Sequence, residues 1–86
     1  MKSINSLREE IDSIDNKILN LIKKRALISK EIGKLKKLSK TPIKDKNREK
    51  EILKKLKNPY EVQIFKKIIS ESRKLQTFGL LAPEMI

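Results

Sequence analysis

Arg25 occupies a position that the surrounding pattern reserves for an apolar side chain. Apolar residues recur at heptad spacing through Ile4, Leu7, Ile11, Ile14, Ile18 and Leu21 and again through Ile28, Ile32 and Leu35, with Arg25 in the gap. An unpaired guanidinium on such a seam costs on the order of several kcal/mol. It therefore pairs with a carboxylate across a helix interface, reaches water, or holds an anionic ligand. The same fault occurs twice near the C-terminus, where the series Val62, Phe65, Ile69 runs on into Ser72 and Gln76. Those two polar residues sit four apart on one helical face; they mark either a helix end emerging into water or the polar lining of a site. Glu49 lies three and four residues before Ile52 and Leu53, so it points inward with them, and Asp45 and Arg48 flank it within a turn. Taken singly, these residues read as a cap and surface ion pairs. Lys36 follows Arg25 by eleven residues, which puts both cations on nearly one face, about 16 Å apart along the axis. Two long cationic side chains can lean together across that gap and grip a small dianion, although Lys36 alone reads as a solvated lysine. Arg8 precedes Arg25 by seventeen residues, about 25 Å along the same helix, too far to share that ligand within its own chain.

Composition narrows the chemistry further. The chain has 86 residues and contains neither cysteine nor histidine. Disulfides, thiolate metal sites and the commonest general base are thereby excluded. A length of this order implies a single domain, residues 1–86, of a size that often needs oligomerisation for stability. Lys and Arg number 22 against 11 Asp and Glu, a formal net charge of +11. Such a balance attracts anions without specifying which. The N-terminus lacks an apolar core of signal-peptide length, and no segment approaches the roughly 20 apolar residues of a membrane helix. The expectation is a soluble cytoplasmic protein with no membrane partner.

Three helices must position these residues. The first heptad run, widened by Leu19, Ile22 and Leu27, predicts a helix over about 4–38, with Gly33 as its one weak point. Ser39-Lys40-Thr41-Pro42 reads as a break. Asp45 then caps a helix over 46–57 whose apolar face is Ile52, Leu53 and Leu56. Asn58-Pro59-Tyr60-Glu61 starts a third helix over 59–77, with Asn58 as cap, Pro59 in the first helical position and Glu61 reaching back. Val62, Phe65, Ile68, Ile69 and Leu75 form its apolar face. The tail 78–86 is apolar beyond Leu80 and has no assigned place.

The ordered set from Leu7 to Gln76 resembles the all-helical chorismate mutase family. It comprises Leu7-Arg8-Glu9-Glu10-Ile11-Asp12 with Ile14-Asp15, then Arg25, then Ile32-Gly33-Lys34-Leu35-Lys36, the segment Pro42 to Glu49, and finally Ser72 and Gln76. The resemblance implies an all-α fold with one very long helix, and two chains wrapped into an intertwined homodimer with two equivalent sites. It implies that Arg25 and Arg8, the latter donated by the partner chain, bind the two carboxylates of chorismate. Lys36 and Gln76 would donate to the ether oxygen, Glu49 and the backbone near Asp45 would hold the ring hydroxyl, and Arg48 and Ser72 would complete the carboxylate-binding shell. It also implies a role in phenylalanine and tyrosine biosynthesis, with no metal and no cofactor.

The residue types suit that reaction. Conversion of chorismate to prephenate breaks the enolpyruvyl ether bond while a carbon–carbon bond forms within the same molecule, and no proton moves. The protein must hold a folded conformer and place donors where negative charge grows on the ether oxygen. Rival readings are a basic helical nucleic-acid-binding protein and a coiled-coil interaction module. The first rests on the lysine-dense stretch from Lys34 to Lys57 but has only three aromatics for stacking, so no nucleic-acid partner is expected. The second makes Arg25 a register device and leaves Glu49, Ser72 and Gln76 unexplained. An isochorismate pyruvate-lyase side activity, on the same fold, stays open.

Overall fold

The structure is a computed structural model that describes residues 2–79. Three helices follow one another, α1 (Ile4–Leu38), α2 (Lys46–Lys54) and α3 (Pro59–Phe78), and no strand occurs among the described residues. Each helix starts on a side-chain cap. Ser3 Oγ accepts from the Ser6 N–H at 3.1 Å, Asp45 from the Arg48 N–H at 2.9 Å, and Asn58 from the Glu61 N–H at 2.9 Å. These bonds satisfy amide donors that the first turn of a helix leaves free. The Glu61 carboxylate reaches back to the Lys57 N–H at 2.7 Å, one residue beyond the cap itself.

The 35 residues of α1 span about 52 Å. The helix closes through Lys40 N–H to Lys37 O at 3.3 Å and Thr41 N–H to Lys36 O at 2.8 Å, the paired bonds of a Schellman motif. That closure needs a left-handed residue, and Lys40 supplies it with φ 54°, a conformation costing a side-chain-bearing residue about 1–2 kcal/mol. Pro42 follows and prevents continuation.

Helix α2 ends at Lys54, three residues short of the predicted 57. The Lys55 and Leu56 amides bond to Ile52 O and Leu53 O at 3.3 and 3.1 Å, tightening the last turn. Asn58 must then be extended (φ −146°, ψ 163°), both to cap α3 and because it precedes Pro59. Helix α3 runs to Phe78, one residue past the predicted end, and stops at Gly79 with φ 75°. Residues 80–86 of the predicted tail lie outside the described residues.

Small residues set the packing of α1 on α3. Ser29 and Ser72 are buried, as is Gly33. A Cβ on Gly33 would lie 2.3 Å from the Gln76 backbone oxygen and 2.6 Å from its Cα. The helix backbones touch there, and the glycine that weakens α1 locally is what lets α3 approach. Away from this crossing the chain covers little of its own apolar surface. Ile69 is the one buried hydrophobic side chain among the described residues, while Ile11, Ile14 and Leu21 remain 52–63 % exposed. The radius of gyration is 16.1 Å, against roughly 12 Å for a compact chain of this length. No helix among the described residues is long and apolar enough to cross a membrane.

Candidate active site

The α1–α3 crossing, with α2 laid across it, encloses an open cavity of about 410 Å³. Arg25, Lys36, Asp45, Arg48, Glu49, Ser72 and Gln76 all line it, drawn from all three helices and the α2 cap. Seven of the eight residues singled out in the sequence are thus brought together; Arg8 is not. It is exposed near the far end of α1. The apolar part of the wall comes from Ile28, Ile32, Ile43, Ile52 and Ile69.

Each polar group is held by a specific partner. The Arg25 guanidinium donates to Ser72 Oγ, and Ser72 donates onward to Ile68 O at 2.7 Å. Arg25 therefore finds a hydroxyl across the helix interface, and its charge is left for the cavity. Ser72 is thus engaged on both sides, as acceptor and as donor. Lys36 Nζ donates to Ile43 O at 2.6 Å and to Gln76 Oε1 at 2.8 Å. It is half-buried and part of a network, not a solvated lysine. Ser72 is buried and Gln76 half-buried, so the polar end of the α3 stripe faces the cavity instead of emerging into water. Asp45 and Arg48 keep the humbler roles as well: Asp45 caps α2, and the Arg48 guanidinium pairs with Glu51 at 3.2 Å on the exposed side.

Two further residues, Ser29 and Arg73, stand in the wall without having been expected from the sequence. Ser29 lies one turn after Arg25 on the same face and is buried at the crossing. Arg73 lies four residues after Ile69 and three before Gln76, and its Nη1 donates to Glu49 Oε1 and Oε2 at 3.2 and 3.0 Å. Extending the α3 stripe at helical i, i+3, i+4 spacing from Ile69, in place of the seven-spaced series alone, would have found it. A second groove, about 390 Å³ and almost wholly apolar, runs between α1 and α3 along Ile18, Ile22, Ala26, Ile64, Ile68 and Leu75. On its rim Glu71 accepts from Lys74, at 3.1 Å, with Lys67 at 3.7 Å; the hydrogen bond from Lys74 holds its carboxyl below the usual range. No group of three or more acidic side chains among the described residues is arranged to hold a metal ion.

Arginines, a lysine, an amide and two carboxylates, converging from three helices and a helix cap, define an all-helical site rich in hydrogen-bond donors. The comparison with known proteins agrees with this class and specifies it. The chain belongs to the chorismate mutase type II family, whose model matches residues 7–77. It is 34% identical to the chorismate mutase of Methanocaldococcus jannaschii, over 88% of this chain and 86% of that one. It is 43% identical to the bifunctional chorismate mutase/prephenate dehydratase of Aquifex aeolicus over 65% of this chain, which spans only 16% of that longer protein. Among solved structures, a conserved hypothetical protein from Pyrococcus furiosus superposes with a TM-score of 0.80 at 42% identity, covering 88% of this chain and 97% of that one.

Proposed function

We propose that this protein is an isomerase, a chorismate mutase converting chorismate to prephenate by an intramolecular rearrangement. The observation that carries the reading is the Lys36–Gln76 pair, 2.8 Å apart, in the wall of the same cavity as Arg25. An ammonium has three donors. Two of those on Lys36 are committed to Ile43 O and Gln76 Oε1, which fixes the group and leaves one for a ligand. Gln76 uses its oxygen on Lys36, so its NH₂ is the group left to donate. Two donors of this kind at the ether oxygen stabilise the negative charge that grows as the carbon–oxygen bond breaks, each by about 3–4 kcal/mol. Arg25, anchored on Ser72, takes one substrate carboxylate. Glu49 and the backbone near Asp45 take the ring hydroxyl, and Arg48 and Ser72 complete the shell. Every bond broken or formed lies within the substrate, so the protein supplies conformation and field only.

The reading includes an intertwined homodimer with Arg8 donated in trans. Its support is the uncovered seam of α1: Ile4, Leu7, Ile11, Ile14, Ile18 and Leu21 are 45–68 % exposed in the single chain. Full burial of such a side chain is worth about 1.5–3 kcal/mol, so a seam of this length favours a second copy. Antiparallel pairing of two long helices brings the start of one beside the middle of the other, where Arg8 meets the cavity of its partner.

The test is incubation of the purified protein, exhaustively treated with chelator, with chorismate. Loss of chorismate absorbance with prephenate as product is the expected result. Unchanged chorismate with or without added divalent ions overturns the mutase reading, and turnover that requires an added divalent ion overturns its cofactor-free form.

A further inference from the structure

We infer that Arg73 is a positioning residue of this site: it fixes the Glu49 carboxylate, and through it the α2 wall, for recognition of a ring hydroxyl on the substrate. The inference rests on the functional reading above in its choice of ligand group, and on geometry for the rest. Helix α2 has nine residues and buries none of them; a helix that short has negligible stability by itself. Yet it carries Arg48, Glu49 and Ile52 to the cavity, with its cap Asp45. The Glu49–Arg73 side-chain hydrogen bonds join α2 to α3.

The pair differs from the other ion pairs of the described residues. Those connect residues close in sequence, and their side chains are 44–74 % exposed. Exposed pairs of that kind contribute little. Arg73 and Glu49 are 24 residues apart, on separate helices, with side chains 34 and 22 % exposed. One guanidinium nitrogen sits between both carboxylate oxygens, so rotation of the carboxylate breaks at least one bond. A carboxylate offers about four acceptor positions. Arg73 takes one on each oxygen, and Glu49 can still accept a hydroxyl proton donor while it is held. Arg73 also offsets the negative charge of Glu49 in a site that must admit a dianion. Arg25 and Lys36 then face the ligand without a neighbouring uncompensated carboxylate.

The experiment is a double-mutant cycle on the full chain, with kcat and KM for chorismate measured for wild type, Arg73→Ala, Arg73→Lys, Glu49→Ala and the double alanine variant. Alongside it, amide hydrogen exchange is measured over Lys46–Lys54. An arginine acting through Glu49 gives about a tenfold loss of kcat/KM in Arg73→Ala, less than about twofold further loss once Glu49 is already alanine, and recovery to within about threefold in Arg73→Lys. Exchange in α2 rises in Arg73→Ala, falls back in Arg73→Lys, and stays unchanged in α1. Losses that multiply in the double variant, or α2 exchange that ignores Arg73, overturn the inference. If wild type leaves chorismate unchanged, the functional reading fails separately, and the exchange data still decide whether Arg73 holds α2.

Discussion

The two halves of α1 invert each other. From Ile4 to Lys24 the helix keeps its large apolar side chains 45–68 % exposed, with Ile18 and Ile22 edging the groove against α3. From Arg25 to Leu38 it turns polar or small residues toward α3: Arg25, Ser29, Gly33 and Lys36 face the crossing or the cavity. A self-sufficient domain would do the reverse, burying the apolar half and exposing the charged one. Exposed isoleucines in register call for a protein partner, whereas half-buried cations in register call for an anionic ligand. Under the proposed function, one continuous helix carrying both patterns would tie assembly to catalysis, because the apolar half also bears Arg8.

The strongest test of that link removes an arginine from each half. Arg8→Ala and Arg25→Ala should each lower kcat/KM by about a thousandfold, the scale of losing a preorganised charged contact in such a site. Co-refolded together, the two variants should regain about a quarter of wild-type sites, since random pairing makes half the dimers mixed and each mixed dimer holds one intact site. Co-refolded variants that stay inactive, with mixed dimers confirmed by mass, would place Arg8 outside the partner's site.

Gly33→Ala probes the packed half alone. Its Cβ would meet the Gln76 backbone at 2.3 Å, and neither helix backbone can yield locally. The expected outcome is a loss of activity of about a hundredfold with a destabilisation of about 1–3 kcal/mol, read from kinetics and thermal melting. Assembly through the distal half should survive, and sedimentation checks this. Gln76→Glu keeps the shape and changes the donor. At neutral pH an ionised carboxylate beside the ether oxygen repels developing charge and cannot donate. Activity should therefore fall about tenfold or more and recover as pH is lowered, while wild type stays comparatively flat; a variant profile that parallels wild type would remove Gln76 from the reacting oxygen. The smallest effect belongs to the junction after α1. Lys40→Gly relieves the left-handed strain at φ 54° and should stabilise the protein by roughly 1 kcal/mol without changing kcat. A lower melting temperature would show that the lysine side chain contributes more than its backbone costs.

Much of this was legible from residue order alone, because helix formation is local. The heptad run, Ser39-Lys40-Thr41-Pro42 and Asn58-Pro59 gave the three helices and their starts, since apolar spacing, caps and proline act within a turn or two of themselves. Arg25, Ser72 and Gln76 were visible as polar residues on apolar stripes, and Glu49 as an acid turned inward. Pairing across helices was not legible. Gly33 read as a defect within α1, and only the approach of α3 makes it the point where two backbones touch. The 57 end predicted for α2 failed for a related reason, since a nine-residue helix has no long apolar register to fix its last turn. Arg73 escaped notice because its partner lies 24 residues away, and a single chain of letters carries no distance between α2 and α3. Sequence thus determined which faces are apolar, where each helix begins and which cations interrupt the seam. The tertiary structure decided which of those interruptions meet, because the burial that brings Lys36 to Gln76 and Arg73 to Glu49 depends on how closely two backbones can pass.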